Sequence, residues 1–292
     1  MMVPRLSVVI AGSRPEGPPE ALFRALHSQL QTGSIELLLA TARSKAHPPR
    51  PGTRIVRCAP GSTVPAMRLA GVRVATAPLI ALTEDFCVPA DDWADTLLEA
   101  RGRVGASVLG GPIARRNGSA ADWALTLAEY GRFFRREPEG EVADLPAINV
   151  AYDADRLRAA LPPDAEGLFE VQLHARLRAR GERFWRLPGA VMFDENDRPF
   201  AHAARAQYYH GRLFGGERVQ DQGLFPRFVR CALAPAVPAV LLRRIAREAA
   251  AAGHTTEVWR SLPALLLLLG AWSAGEAVGS LFGKGHSGAR WT

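Results

Sequence analysis

Lysine is nearly missing from this 292-residue chain. Lys45 and Lys284 are the only two among 36 basic residues, so the net charge of +7 is carried by arginine. That bias is one of base composition, and it does not by itself identify nucleic acid as a partner; none is expected. A basic chain also suits phosphate-bearing ligands and anionic lipid surfaces. Cysteine is scarce as well. Cys58, Cys87 and Cys231 are odd in number, far apart and without metal-ligand spacing. A disulfide framework and a cysteine-held metal are therefore excluded, and a reduced, cytosolic setting is expected. There is no internal repeat and no long low-complexity tract. The ordinary shares of hydrophobic (48%) and charged (22%) residues exclude wholesale disorder, collagen and coiled coil. The apolar run near the N-terminus, Leu6 to Ala11, is short, β-branched and closed by Gly12. It reads as a buried first strand and not as a signal peptide.

What is present alternates. Strand patterns at Leu6–Ala11, Ile35–Ala40, Arg54–Cys58, Pro78–Leu82 and Val104–Leu109 are separated by helical patterns near Glu20–Leu30, Gly61–Thr76 and Asp92–Gly102. A loop rich in proline and basic residues lies between the second and third strands. Alternation of this kind implies βαβ crossovers and a mostly parallel sheet, with ligands beyond the carboxyl ends of the strands. A polar helical insertion with aromatics covers Asn117–Leu145. A helix follows near Phe169–Gly181, then a strand near Phe184–Val191.

Three places could carry chemistry. Glu84 and Asp85 end the fourth strand, and adjacent carboxylates on a strand point to opposite faces, so at least one meets the crevice. Oxygen ligands there suit Mg2+ or Mn2+ holding a diphosphate. The spacing alone leaves open a pair that caps the next helix. Glu170 opens a helix, where the dipole favours a carboxylate; its functional reading is a general base. Gln207, His210 and Arg212 lie in a polar, aromatic and basic segment suited either to a departing phosphate or to a solvated surface helix.

The order of these parts resembles the family 2 glycosyltransferases of GT-A fold, in particular bacterial membrane-associated members. The resemblance runs from Leu6 to Arg218. Leu6–Ala11 looks like the opening strand, and Pro65–Gly71 with Ala75 resembles the arginine-bearing helix ahead of the metal motif. Leu82-Thr83-Glu84-Asp85 with Pro89 and Trp93 falls where the DxD signature sits. Gly110-Gly111-Pro112 and Ile148–Tyr152 are similar to the later glycine turn and acceptor-side strand, Phe169-Glu170 to the Glu-Asp motif, and Gln207–Gly211 to the QxxRW element. The resemblance implies an α/β, Rossmann-like GT-A domain over 1–225 and an inverting transferase. A sugar would move from a nucleoside-diphosphate donor to a glycan or lipid-linked acceptor hydroxyl, in cell-envelope or polysaccharide synthesis. It assigns the base to Glu170, the metal to Asp85 and Glu84, and donor contacts to Glu84, Asp85, Arg68, Gln207, His210 and Arg212. Several positions depart from the pattern. Ala40-Thr41-Ala42 replace base-binding aspartates, Leu69 an asparagine, Thr83 the first aspartate of DxD, and His210-Gly211 an Arg-Trp pair. Two other readings remain: a degenerate GT-A-like protein that binds without catalysis, and a nucleotidyltransferase with Gly12–Gly17 as its phosphate loop.

The last stretch, 226–292, reads as helical and membrane-associating. Ala264–Ala274 is apolar apart from Ser273, and the run continues through Glu276, which lies toward one end, to Gly283, about 20 residues and near the minimum for a bilayer span. Arg243, Arg244 and Arg247 beside Val240, Leu241, Leu242 and Ile245 suit an interfacial helix on anionic lipid. Gly270, Gly275 and Gly279 suit close helix packing in lipid or, on the alternative reading of this stretch, in a buried helix on the sheet or a dimer interface. The cytosolic supply of nucleotide-sugars would put the catalytic domain on the cytoplasmic side of the plasma membrane.

Overall fold

The computed structural model describes residues 3–14, 17–43, 52–134, 137–220 and 222–290. Most of the basic loop noted above, with Lys45, and two positions of the Gly12–Gly17 stretch lie outside them. The elements in chain order are β1 (Leu6–Gly12), α1 (Glu20–Ala25), α2 (His27–Gln31), β2 (Ile35–Thr41), β3 (Thr53–Arg57), α3 (Val64–Val74), β4 (Leu79–Glu84), β5 (Cys87–Pro89), α4 (Trp93–Arg103), β6 (Val108–Gly110) and β7 (Ile113–Ala114). There follow α5 (Ala120–Tyr130), β8 (Gly140–Glu141), β9 (Val150–Asp153), α6 (Ala154–Ala160), α7 (Glu170–Ala179), β10 (Phe184–Arg186), β11 (Met192–Asp194), α8 (Phe200–Arg218), α9 (Leu224–Leu233), α10 (Val237–Ala251) and α11 (Thr255–Phe282). They form two units that interleave along the chain. The first takes 1–114 and 136–195, the second 115–135 and 196–292. The boundary expected at 225/226 falls inside α9.

The first unit is the α/β layer structure expected from the alternation, a central sheet flanked by helices. Its eight-stranded sheet runs β3-β2-β1-β4-β9-β6-β10-β8. The β1–β4 block is parallel, because each crossover carries a helix or a long connection. One strand differs from expectation. β9 inserts between β4 and β6 and is antiparallel to both. The strand expected over Phe184–Val191 shortens to β10, since Pro188 cannot donate to a ladder, and β11 begins just beyond it at Met192. β10 stays in the large sheet, while β11 joins β5 and β7 in a second sheet of three. The expected Val104–Leu109 strand shortens to β6, since Val104 closes α4. On one face of the sheet Ile80 and Leu82 of β4 pack with Leu69 and Val72 of α3 and Leu173 and Leu177 of α7. Gly71 permits this approach, since a Cβ there would lie 2.3 Å from a methyl of Val9.

The second unit is helical. α5 opens with a capping box, in which the Ser119 hydroxyl accepts from the Asp122 N–H and the Asp122 carboxylate from the Ser119 N–H. α8 and α11 meet along glycines. A Cβ on Gly275 would lie 2.0 Å from the Tyr208 carbonyl oxygen, one on Gly279 2.1 Å from that of Arg212, and one on Gly211 2.1 Å from that of Trp272. Gly270 differs from the packing role expected of it, for nothing lies within 4 Å of a Cβ placed there.

Candidate active site at the end of β4

The period of two along β4 separates the acidic pair. Glu84 continues the Ile80–Leu82 row and faces α3 and α7; Asp85 falls on the other side. On α3, Arg68 lies one position before the core residue Leu69. On α7, Glu170 precedes Leu173 and Leu177 on the same helical face. The Leu168 N–H donates to the Pro65 carbonyl at 2.8 Å, which ties the entry of α7 to the first turn of α3. The result is an arginine clamped between two carboxylates. Arg68 Nη2 donates to Glu84 Oε1 at 2.5 Å, and Nη1 to Glu170 Oε2 at 2.7 Å. The Arg68 side chain is 3% exposed, against 13% for Glu84 and 20% for Glu170. The guanidinium is planar and forked, so it holds the two acids at a defined separation, which a lysine would not do.

Asp85 is turned toward the loop after β1. Its Oδ2 accepts from the Arg14 N–H at 2.5 Å, and the Ser13 hydroxyl donates to Oδ1 at 3.4 Å. Burial pushes its carboxyl up to about 6, against the lowering effect of Arg14 and Ser13. Arg43 Nη2 donates to the Ser13 carbonyl at 2.8 Å and fixes the same loop from β2. Arg14 entered the sequence reading only within the Gly12–Gly17 stretch, and Arg43 not at all. The signal for Arg43 was a basic loop beside a strand end.

Beyond Glu170 lies a second polar chain, also unforeseen. Tyr152 Oη sits 2.7 Å from His174 Nε2, and His174 Nδ1 sits 2.6 Å from Asp144 Oδ1. Tyr152 and His174 are buried. Burial, and then the charge of Glu170, pushes the Tyr152 phenol well above its ordinary range. A histidine four residues after Glu170 was the available clue, since that spacing shares a helix face.

The glycine turn is committed to packing. Cβ atoms on Gly110 and Gly111 would lie 2.4 Å from the Asn149 oxygen and 2.0 Å from the Ala190 oxygen. Asn149 is a bracket with every amide atom engaged. It accepts from Trp93 Nε1 at 2.7 Å and donates to the carbonyls of Pro112 and Ala190.

Gln207, His210 and Arg212 stand on α8 in the second unit. Gln207 Nε2 donates to Glu129 at 3.3 Å, and Glu129 also pairs with Arg198. Arg212 Nε donates to the Gly283 carbonyl at 3.4 Å, at the end of α11. Burial and then Arg198 push His210 down to about 4. At neutral pH it therefore offers a hydrogen bond and no charge.

Among the described residues there is no group of three or more His, Cys, Asp and Glu side chains set to hold a metal. Glu84 is shared with Arg68, and Asp85 with Ser13 and Arg14. The two carboxylates point to opposite sides of β4 and do not form one cradle; each by itself offers oxygen to a hard cation whose remaining shell would be water.

Asp85 and His210 give opposed pH slopes. A carboxyl raised from 3.8 to about 6 stabilises the fold below pH 4, and that contribution is lost as pH rises through 6. A histidine lowered from 6.5 to about 4 stabilises above pH 6.5, and its contribution is lost as pH falls through 4. Asp85→Asn should therefore unmask a melting temperature that climbs between pH 4 and 6.5, and His210→Gln one that falls. Calorimetry across that window checks both signs.

No protein-family model matches the chain, and no curated protein matches it. Solved structures do. GalNAc-T7, solved with UDP, GalNAc and Mn2+, aligns at TM-score 0.47 and 13% identity, over 66% of this chain and 44% of its own. The mannosyltransferase PcManGT from Pyrobaculum calidifontis, solved with GDP-Man and Mn2+, aligns at TM-score 0.49 and 16% identity, over 96% of this chain and 88% of its own. At these values the likenesses establish no activity for this chain.

Proposed function

We propose that the first unit is a family 2-like GT-A glycosyltransferase, moving a sugar from a nucleoside-diphosphate donor to an acceptor hydroxyl. The observation that carries this is the Glu84–Arg68–Glu170 clamp at the carboxyl end of β4. It holds a candidate base one guanidinium away from a carboxylate suited to the donor side. Glu170 takes the proton from the acceptor hydroxyl. The oxygen then bonds to the anomeric carbon as the bond to the diphosphate breaks, its electron pair leaving with the diphosphate; single displacement inverts the centre. Arg68 fixes the direction of the Glu170 carboxylate. Asp85, with Glu84 turned to the opposite side of β4, would be the residue to hold Mg2+ or Mn2+, which when bound supplies positive charge to the diphosphate. The donor roles of Gln207, His210 and Arg212 rest on the sequence resemblance. The acceptor is a glycan or lipid-linked hydroxyl of cell-envelope or polysaccharide synthesis. The second unit associates with the cytoplasmic face of the plasma membrane.

The test is a donor screen scored by release of free nucleoside diphosphate, followed by Glu170→Gln. That variant should lose about 10²–10⁴-fold in turnover and keep donor affinity. Wild-type turnover would remove Glu170 from the mechanism. One observation favours a binding protein without catalysis: Glu84 and Asp85 are already engaged by Arg68 and Arg14. Titration of nucleotide-sugars with Mn2+ separates the two, since saturable binding without turnover of any donor supports the second.

A further inference from the structure

α9 is amphipathic the wrong way round for a helix in water. Leu224, Phe225, Phe228 and Leu233 face outward, at 73%, 78%, 62% and 61% exposure, and Val229 joins them. The other side of the helix turns inward and carries Arg227, whose guanidinium donates to the carbonyls of Val219 and Gln222, and the half-buried Arg230. A surface helix of a water-soluble protein shows the opposite pattern. The apolar surface continues on α11, where Leu266 and Leu267 are exposed. The Ser273 hydroxyl donates to the Ala234 carbonyl at 2.5 Å and fastens the end of α9 to that helix.

Both helical runs are long and apolar enough to cross a bilayer by composition. Their charges and neighbours argue otherwise. Between Arg230 and Arg243 the uncharged stretch is Cys231–Leu242, 12 residues or about 18 Å, against about 30 Å of hydrocarbon. The C-terminal half of α11 packs backbone to backbone on α8, so it cannot enter lipid without Arg212, Glu217 and Arg218 of that helix. Between Arg260 and that half remain 11 uncharged residues, Ser261–Ala271. From 222 to 247 the chain has five arginines and no carboxylate. Arg243, Arg244 and Arg247 are exposed on α10. That charge complements anionic lipid.

We propose that the second unit lies in the plane of an anionic bilayer, inserting the outward face of α9 with Leu266 and Leu267 of α11, and spans it with neither run. This rests on the membrane half of the proposed function and not on the catalytic half.

The test is co-sedimentation of the full chain with phosphatidylcholine vesicles with and without 30% phosphatidylglycerol, with donor turnover in detergent read separately. Wild type should pellet with the anionic vesicles. Phe225→Ser/Phe228→Ser alters two exposed side chains and should bind at least tenfold more weakly at unchanged melting temperature. Arg243→Gln/Arg244→Gln/Arg247→Gln should lose the preference for phosphatidylglycerol and the salt sensitivity. Wild type that stays in the supernatant overturns the proposal. So does a serine variant that pellets like wild type, which would leave a spanning helix as the anchor. A wild-type dimer that the serine variant converts to monomer, with no change in vesicle binding, also overturns it and assigns the face to a second copy.

Discussion

Arg68→Met should cost about 3 kcal/mol and remove any transferase activity. Methionine fills much of the same space, so packing changes little; what changes is charge. Glu84 and Glu170 would be left facing each other with no cation between them. Removing one partner of a buried ion pair is more damaging than the pair is stabilising, about 3–5 kcal/mol, because a desolvated charge remains. Partial exposure of both carboxylates puts this case at the lower end. For a unit of this size that is a fall in melting temperature of roughly 6–12 °C. Arg68→Lys keeps the charge but cannot fork to both acids, so it should fall between. Adding Glu84→Gln to Arg68→Met should restore stability without restoring activity, since the repulsion goes while Glu170 stays unfixed. The measurement is thermal denaturation of the four proteins. If Arg68→Met melts with wild type instead of several degrees below it, the clamp is not what holds these acids.

That clamp shows where sequence reasoning reached and where it stopped. Buried strands could be read from short apolar runs, β-branched at Leu6–Gly12 and leucine-rich at Ile35–Thr41, because their composition carries the burial itself. Alternation along β4 was enough to send Glu84 and Asp85 to opposite faces. Their partners were out of reach. Arg68 and Glu170 are 102 residues apart, and nothing local joins them until α3 and α7 cover the same sheet face. The Tyr152–His174–Asp144 chain has the same character, linking separations of 22 and 30 residues. β9 was readable as a strand; its antiparallel insertion between β4 and β6 was not, because pairing is a property of the whole sheet. In the second unit the apolar run of α11 was visible, but which of its glycines meet another helix depends on α8.

That dependence predicts opposite signs for one substitution at two positions of one helix. Gly275→Ala should destabilise the second unit by about 3 kcal/mol or more, while Gly270→Ala should stabilise it by about 1 kcal/mol. A methyl on Gly275 would stand 2.0 Å from the Tyr208 carbonyl oxygen and 2.8 Å from the Arg212 nitrogen. These are backbone atoms of α8 and cannot swing aside as a side chain would. The helices must separate by more than an ångström, and the neighbouring contacts at Gly211, Gly215 and Gly279 open with them. At Gly270 a methyl meets nothing within 4 Å. There the substitution only removes the conformational freedom that glycine keeps in the unfolded chain and raises helix propensity, an effect of about 1 kcal/mol. Since both changes add one carbon to the same helix, differences in hydrophobicity cancel. Thermal denaturation of wild type and both variants in one detergent reads the contrast directly. Shifts of the same sign would show that α8 and α11 do not cross on their glycines, whereas a fall at 275 beside a rise at 270 follows from backbone contact at one position and open space at the other.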